Sequence, residues 1–105
     1  MRESQIEAHL VRRVKALGGE VRKVQWIGRR GAPDRLVMLP ARHWVDMVFG
    51  QPRSKVKPPA SVWIELKAPG AKPERHQVRE HARMRAMGQH VEVIDSIEAV
   101  ERLLA

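Results

Sequence analysis

The chain contains no cysteine. Disulfides, thiolate metal sites and cysteine nucleophiles are therefore excluded together. Its five histidines, His9, His43, His76, His81 and His90, are scattered without an HxxxH pair, so the spacing of a His-ligated zinc site is missing as well. No run approaches the roughly 20 consecutive apolar residues of a membrane span, and Met1-Arg2-Glu3-Ser4 leads straight into an amphipathic segment rather than a signal peptide. The expectation is a soluble cytoplasmic protein with no membrane partner. No internal repeat or low-complexity tract is present. Acidic residues are scarce: 12 Asp and Glu face 20 Lys and Arg, a formal net charge of +8 on 105 residues. A body of that size holds one domain, spanning residues 1–105, with room for one core. Its charge biases it strongly towards polyanions, nucleic acid foremost.

Helical spacing of Ile6, Leu10, Val14 and Leu17, with Gly18-Gly19 as the stop, predicts a first helix over residues 3–18. Residues 20–27 alternate loosely as a strand, broken by residues 28–33, and residues 34–39 predict a second strand ended by Pro40. Between residues 41 and 60 the pattern weakens. Trp44, Val45, Val48 and Phe49 fit one side of a short helix or, alternatively, a strand, while residues 51–60, with three prolines among Arg53, Lys55 and Lys57, predict a mobile loop. Residues 61–67 form a strand carrying Val62, Trp63, Ile64 and Leu66. A second helix is expected from Pro73 to about Met87, stopped by Gly88. A short strand over residues 90–94 and a last helix capped by Asp95 or Ser96 complete the chain, Glu98 being a box-like partner of Asp95.

Within this order, a tight turn Gly31-Ala32-Pro33-Asp34 is followed by Glu65-Leu66-Lys67. Alternate side chains of an extended strand share a face, so Glu65 and Lys67 point one way while Leu66 points into the core. If the turn carries Asp34 to the same sheet edge, two hard oxygen ligands converge beside an ammonium, a site suited to Mg²⁺ or Mn²⁺. Phosphodiester hydrolysis requires a nucleophilic water, neutralisation of charge building on the phosphoryl oxygens and help for the leaving oxygen, all of which a divalent ion supplies. Asp34 and Glu65 are the expected ligands, with the Leu66 carbonyl as a neutral third. Lys67 would orient the water or stabilise the phosphoryl charge. Taken singly, each of these residues has a plain structural reading: a turn aspartate, and a surface pair on an edge strand. The combination with the spacing and the basic charge favours chemistry.

Two further residues have two readings each. Glu7 lies at the edge of the first helix's apolar stripe, either as part of the site or as an exposed Glu favoured by the helix dipole. Gln77 shares a stripe with His81 and Met84, where it would reach a phosphate or water, or else satisfy a backbone group.

Several linked segments in one order now carry a family resemblance: Glu7 in Ile-Glu-Ala-His-Leu, Gly31-Ala32-Pro33-Asp34-Arg35, Glu65-Leu66-Lys67-Ala68-Pro69-Gly70, Gln77 in Gln-Val-Arg-Glu-His, and Val93-Ile94-Asp95-Ser96. The chain resembles, over nearly its whole length, a stand-alone VRR-NUC domain of the PD-(D/E)xK nuclease superfamily. The resemblance implies a restriction-endonuclease-like αβββαβ core, a mixed central sheet flanked by helices, Mg²⁺ or Mn²⁺ dependence and DNA hydrolysis. It raises Glu7 and Gln77 to site members, Glu7 reaching a metal through water. Small virus-encoded members resemble Holliday junction resolvases and act as homodimers, which implies a phage or bacterial setting in DNA repair or recombination. Versions embedded in large repair proteins cut flaps as monomers. The segment at residues 41–60 is longer than a compact hairpin between these strands.

For DNA contacts, Arg29 and Arg30 precede the Asp34 turn, and Arg35 after it would instead pair with a carboxylate. Arg42, Arg53, Lys55 and Lys57 would form a mobile cationic arm on DNA. Trp44 and Phe49 would stack on an opened base or, the favoured reading, anchor the segment to the core or to a second subunit. Besides a structure-selective endonuclease for branched DNA, the sequence leaves open a flap or general DNA nuclease, a basic DNA-binding module that does not cut, and a nuclease subunit targeted by a partner.

Overall fold

The computed structural model describes all 105 residues. The order is α1 (Glu3–Ala16), β1 (Glu20–Lys23), β2 (Arg35–Leu39), β3 (Arg42–Val48), β4 (Gln51–Lys57), β5 (Ala60–Leu66), α2 (Arg75–Ala86), β6 (Val91–Ile94) and α3 (Ile97–Leu104). Four strands form one sheet in the order β1-β2-β5-β6. The first three are antiparallel and β6 runs parallel to β5, so the sheet is mixed, as expected.

Alternation along β5 divides the molecule. Val62, Ile64 and Leu66 face one way and join Ile6, Leu10 and Val14 of α1 with Ala99, Val100 and Leu104 of α3 in the main core. Each such aliphatic side chain removed from water contributes about 1.5–3 kcal/mol, so the helical spacing of α1 is what fastens it to the sheet. Glu101 strengthens the α1–α3 contact by accepting from Arg13 Nε at 3.0 Å and lying 2.8 Å from His9 Nε2. Trp63 and Glu65 face the opposite way, towards α2 and its buried His81 and Met84. The helix starts at Arg75, two residues beyond Pro73. Ser96, not Asp95, caps α3: its Oγ accepts from the Ala99 amide at 3.0 Å.

Two expectations need correction. β1 ends at Lys23 rather than residue 27, because the chain leaves the sheet to build the turn before Asp34; only Val24 N–H still donates to the Asp34 carbonyl, at 2.8 Å. In the segment at residues 41–60 the strand alternative for Trp44 to Phe49 holds, as Arg42–Val48, while residues 51–60 are not a mobile loop but carry a strand, Gln51–Lys57. The segment is a separate two-stranded hairpin with β3 and β4 paired from Arg42↔Lys57 to Val48↔Gln51. Two residues with positive φ, Phe49 (50°) and Gly50 (75°), close it as a type I′-like turn that matches strand twist. Since opposed residues share a face, one face carries Arg42/Lys57, Trp44/Lys55 and Asp46/Arg53, and the other His43/Val56, Val45/Ser54 and Met47/Pro52.

At its base the hairpin is tied to α3, Arg42 donating to the Leu104 carbonyl at 2.8 Å and Lys57 to that of Ala105. The rest projects. The molecule measures 51 × 33 × 22 Å and has a radius of gyration of 15.4 Å, against about 13 Å for a compact chain of this length.

Candidate active site

The sheet places Asp34, Glu65 and Lys67 at one of its ends. Glu65 stands near the C-terminal end of β5, and Asp34 immediately precedes the antiparallel β2, whose Arg35 is paired with Ile64. Asp34 and the Glu65/Lys67 pair therefore meet at the same edge, and the hairpin leaves from the other.

Three residues, Trp26, Gly31 and Arg29, shape the turn that delivers Asp34. Trp26 Nε1–H donates to the Pro33 carbonyl at 2.8 Å, and its ring packs on Trp63 with 5.1 Å between centroids. Gly31 presses on the start of α2. A Cβ there would lie 2.7 Å from the His76 carbonyl oxygen and 3.2 Å from Gln77 Cα, at a φ of +87° that only glycine adopts freely. Arg29 reaches Glu80 of α2 at 3.5 Å. Gly31→Ala should therefore destabilise the fold by about 2 kcal/mol or more, measured as a lower urea midpoint. Gly28→Ala has the same backbone cost (φ +72°) but meets nothing within 4 Å, and should cost clearly less.

Glu7 and Asp34 are joined through Arg35. Its guanidinium lies 2.7 Å from Glu7 Oε2 and 2.8 Å from Asp34 Oδ1. Burial works against the guanidinium's charge, but the Glu7 hydrogen bond and the Asp34 charge outweigh it and hold its pKa above the usual value. Glu7 is thus neither a freely solvated carboxylate nor a buried orphan: it is half-exposed and paired. Arg35 pairs with both carboxylates.

Glu65 is the electrostatic outlier. It is only 9% exposed and its Oε1 has no hydrogen-bond donor. Burial pushes its pKa up to about 7; Lys67 pulls it down, Asp34 and Glu3 push it up and Arg35 opposes them. The only side chain approaching that oxygen in an ion-pair geometry is His81, whose Nε2 is 3.5 Å away and equally unpartnered. Burial, then the Arg85 charge, lowers the His81 pKa, with Glu80 opposing and Lys67 adding to it, which disfavours the imidazolium form that would neutralise Glu65. A buried carboxylate oxygen lacking any donor is what a cation would satisfy. Were an ion held here, Glu65 and Asp34, with the Leu66 carbonyl, would offer it hard oxygens, which suit Mg²⁺ or Mn²⁺ rather than a soft metal. No three His, Asp or Glu side chains converge on one point, so Glu7 does not join Asp34 and Glu65 in a ready-made triad.

The remaining residues divide. Gln77 Oε1 accepts from the Glu74 amide at 2.8 Å, so the second of its two readings holds for the carbonyl, and its NH₂ is left for other partners. Arg29 is spoken for by Glu80, while Arg30 is exposed. Arg42 and Lys57 hold the α3 terminus instead of forming a free arm; Arg53 and Lys55 are exposed. Phe49 is fully exposed and anchors nothing in the core, and Trp44 lies half-exposed under the Arg42 guanidinium, 5.8 Å from the ring centroid. Glu80, His81 and Trp26 escaped the sequence reading of the site. His81 lay on the Gln77/Met84 stripe, and that inward placement was its one available signal; Glu80 and Trp26 are defined by contacts distant in sequence.

No protein-family model matches the chain. It is 44% identical over 96 residues to "Putative nuclease p44" of Acyrthosiphon pisum secondary endosymbiont phage 1, covering 91% of this chain and 85% of that protein. Among solved structures it is similar to a VRR_NUC domain, with a TM-score of 0.71 and 36% identity, over 97% of this chain and 92% of the other. Both likenesses span the sheet and the Asp34 and Glu65 segments together, and the chain accordingly belongs to the VRR-NUC family of nucleases.

Proposed function

We propose that the chain is a metal-dependent, structure-selective DNA endonuclease that hydrolyses phosphodiester bonds in branched DNA such as Holliday junctions, with Asp34, Glu65 and Lys67 at the centre of its site. The observation that carries this reading is Glu65: a buried carboxylate without a donor, beside an ammonium, at the sheet edge reached by the Asp34 turn. Asp34, Glu65 and the Leu66 carbonyl would hold Mg²⁺ or Mn²⁺, with Glu7 reaching it through water. When bound, the ion supplies Lewis acidity towards the phosphoryl group and a more acidic water.

The protein's own groups do the rest. Lys67, on the face of Glu65, orients the attacking water or neutralises the phosphoryl oxygens. Arg35 holds Glu7 and Asp34 in place and limits repulsion between them and Glu65. The Gln77 amide, Arg30 and the exposed cations of the hairpin face the polyanion, consistent with the net charge of +8. A symmetric four-way junction needs two cuts and one chain has one site, so the active species is a C2 homodimer.

A cleavage panel of four-way junction, flap, single-stranded and duplex DNA under Mg²⁺ and Mn²⁺ tests the reading. Nicking of the branched substrates well above the linear duplex, lost with EDTA, is expected, by a species that sizes as a dimer. Tight DNA binding with no cut under either ion would select a non-catalytic binding module instead.

A further inference from the structure

The hairpin tip carries a contradiction that the nuclease reading does not use. Phe49 takes the first positive-φ position of the two-residue turn, where Asn or Gly is favoured and a bulky aromatic is strained. It is also 100% exposed, so no packing within the chain offsets the strain. Strained backbone of this kind clusters at functional and ligand-contacting positions. Beside Phe49 stand Met47 and its opposite neighbour Pro52, also exposed. Behind them on the other face of β4 are Arg53 and Lys55, exposed, while Arg42 and Lys57 fix the base to α3. The result is a stiffly rooted, two-stranded ribbon with an apolar tip and cationic flank.

We propose that the β3–β4 hairpin is a branch-reading arm, in which Phe49 is a wedge against the exposed base pair at a DNA branch while Arg53 and Lys55 neutralise adjoining phosphates. A two-stranded ribbon fits a DNA groove, and Phe, Met and Pro are the side chains that wedge between base steps. In a continuous duplex such a wedge must first unstack a step. At an open branch, such as a four-way junction in EDTA, the terminal pair already lacks a stacking neighbour on one side, so the same contact forms without that cost and the branch is favoured. The charge-free face of Val45, Met47 and Val56 offers a rival occupant, a second copy of the chain, but the cations and the net charge of +8 favour DNA at the tip. The arm deepens the proposed nuclease reading, resting on it only for the choice of branched DNA.

Phe49→Asn is the decisive variant, because Asn-Gly is the preferred type I′ pair: it removes the ring while relieving the turn. Affinity for a four-way junction and for a linear duplex is measured in EDTA, so that binding is read without cutting, alongside melting temperature and sizing. The wild type is expected to prefer the junction. Phe49→Asn should lower the junction-to-duplex affinity ratio about tenfold at an equal or higher melting temperature, and Arg53→Gln with Lys55→Gln should weaken both substrates alike and reduce the salt slope by about two. A wild-type ratio near one, or a Phe49→Asn ratio within twofold of wild type, overturns the proposal. So does conversion of a dimer to a monomer by Phe49→Asn, which would make the tip a contact between copies. A wild type that cuts nothing yet shows the expected ratios sinks the nuclease reading and leaves the arm standing.

Discussion

Lys67→Ala is expected to lower kcat/KM for DNA cleavage by about 10³-fold or more, equivalent to about 4 kcal/mol of transition-state stabilisation, while the circular dichroism spectrum stays that of the wild type. The fold should survive because Lys67 follows β5 and is joined to its neighbour through the backbone, its N–H donating to the Ile94 carbonyl at 2.9 Å. An alanine keeps that bond. What is lost is an ammonium on the face of Glu65, which pulls that carboxyl towards its ionised form. The variant therefore loses its charge towards the phosphate and leaves Glu65 harder to ionise, and both changes reduce activity. Lys67→Arg should not restore the rate, since a planar guanidinium does not replace a compact ammonium. Cleavage by Lys67→Ala at the wild-type rate would remove Lys67 from the site.

The second large effect has opposite signs for stability and activity. Glu65→Gln should abolish cleavage but stabilise the metal-free fold by about 3 kcal/mol at pH 8. The sign follows from the raised pKa. In the folded state Glu65 holds its proton to about pH 7, whereas in the unfolded chain it releases it near its ordinary value of 4.5. Between those values the folded state binds the extra proton, so wild-type stability falls as pH rises through the window and the loss is complete above it. The amide of the Glu65→Gln variant cannot titrate, and its advantage should vanish near pH 4.5. Denaturant midpoints of both proteins from about pH 4.5 to 8, in EDTA, measure this. Mg²⁺ or Mn²⁺ at pH 8 should then stabilise the wild type and have little effect on the variant, because ligand binding to the folded state raises stability by mass action. Parallel pH profiles would show that Glu65 ionises normally and that its burial is not felt.

How much of this was legible depends on where each residue's signal resides. α1 and β5 were read from periodicity because each packs against one continuous core, so Ile6, Leu10 and Val14 or Val62, Ile64 and Leu66 report burial directly. The Glu65/Lys67 pair followed from the same alternation. The hairpin was missed for the complementary reason: neither of its faces lies on the core, so Val45 and Met47 fall on one side and Trp44 and Val48 on the other with no single period. Pro52 within β4 and Phe-Gly in place of Asn-Gly at the turn removed the remaining cues. In the site, Arg35 as a bridge between Glu7 and Asp34, and the approach of His81 to Glu65, are contacts across distant segments, which only the folded chain defines.

The two ends of β5 have a practical consequence. About 20 Å of strand separates the carboxylate edge from the point at which the hairpin enters and leaves the sheet, and Leu39 and Ala60, the residues flanking it, are themselves paired. A foreign recognition loop spliced between those two positions would inherit a closed junction and leave the opposite edge untouched. With the hairpin as the proposed branch-reading arm, the sheet would separate recognition from the Asp34/Glu65 edge, and redirecting the nuclease to a new target would be a graft at one end rather than a redesign of the other.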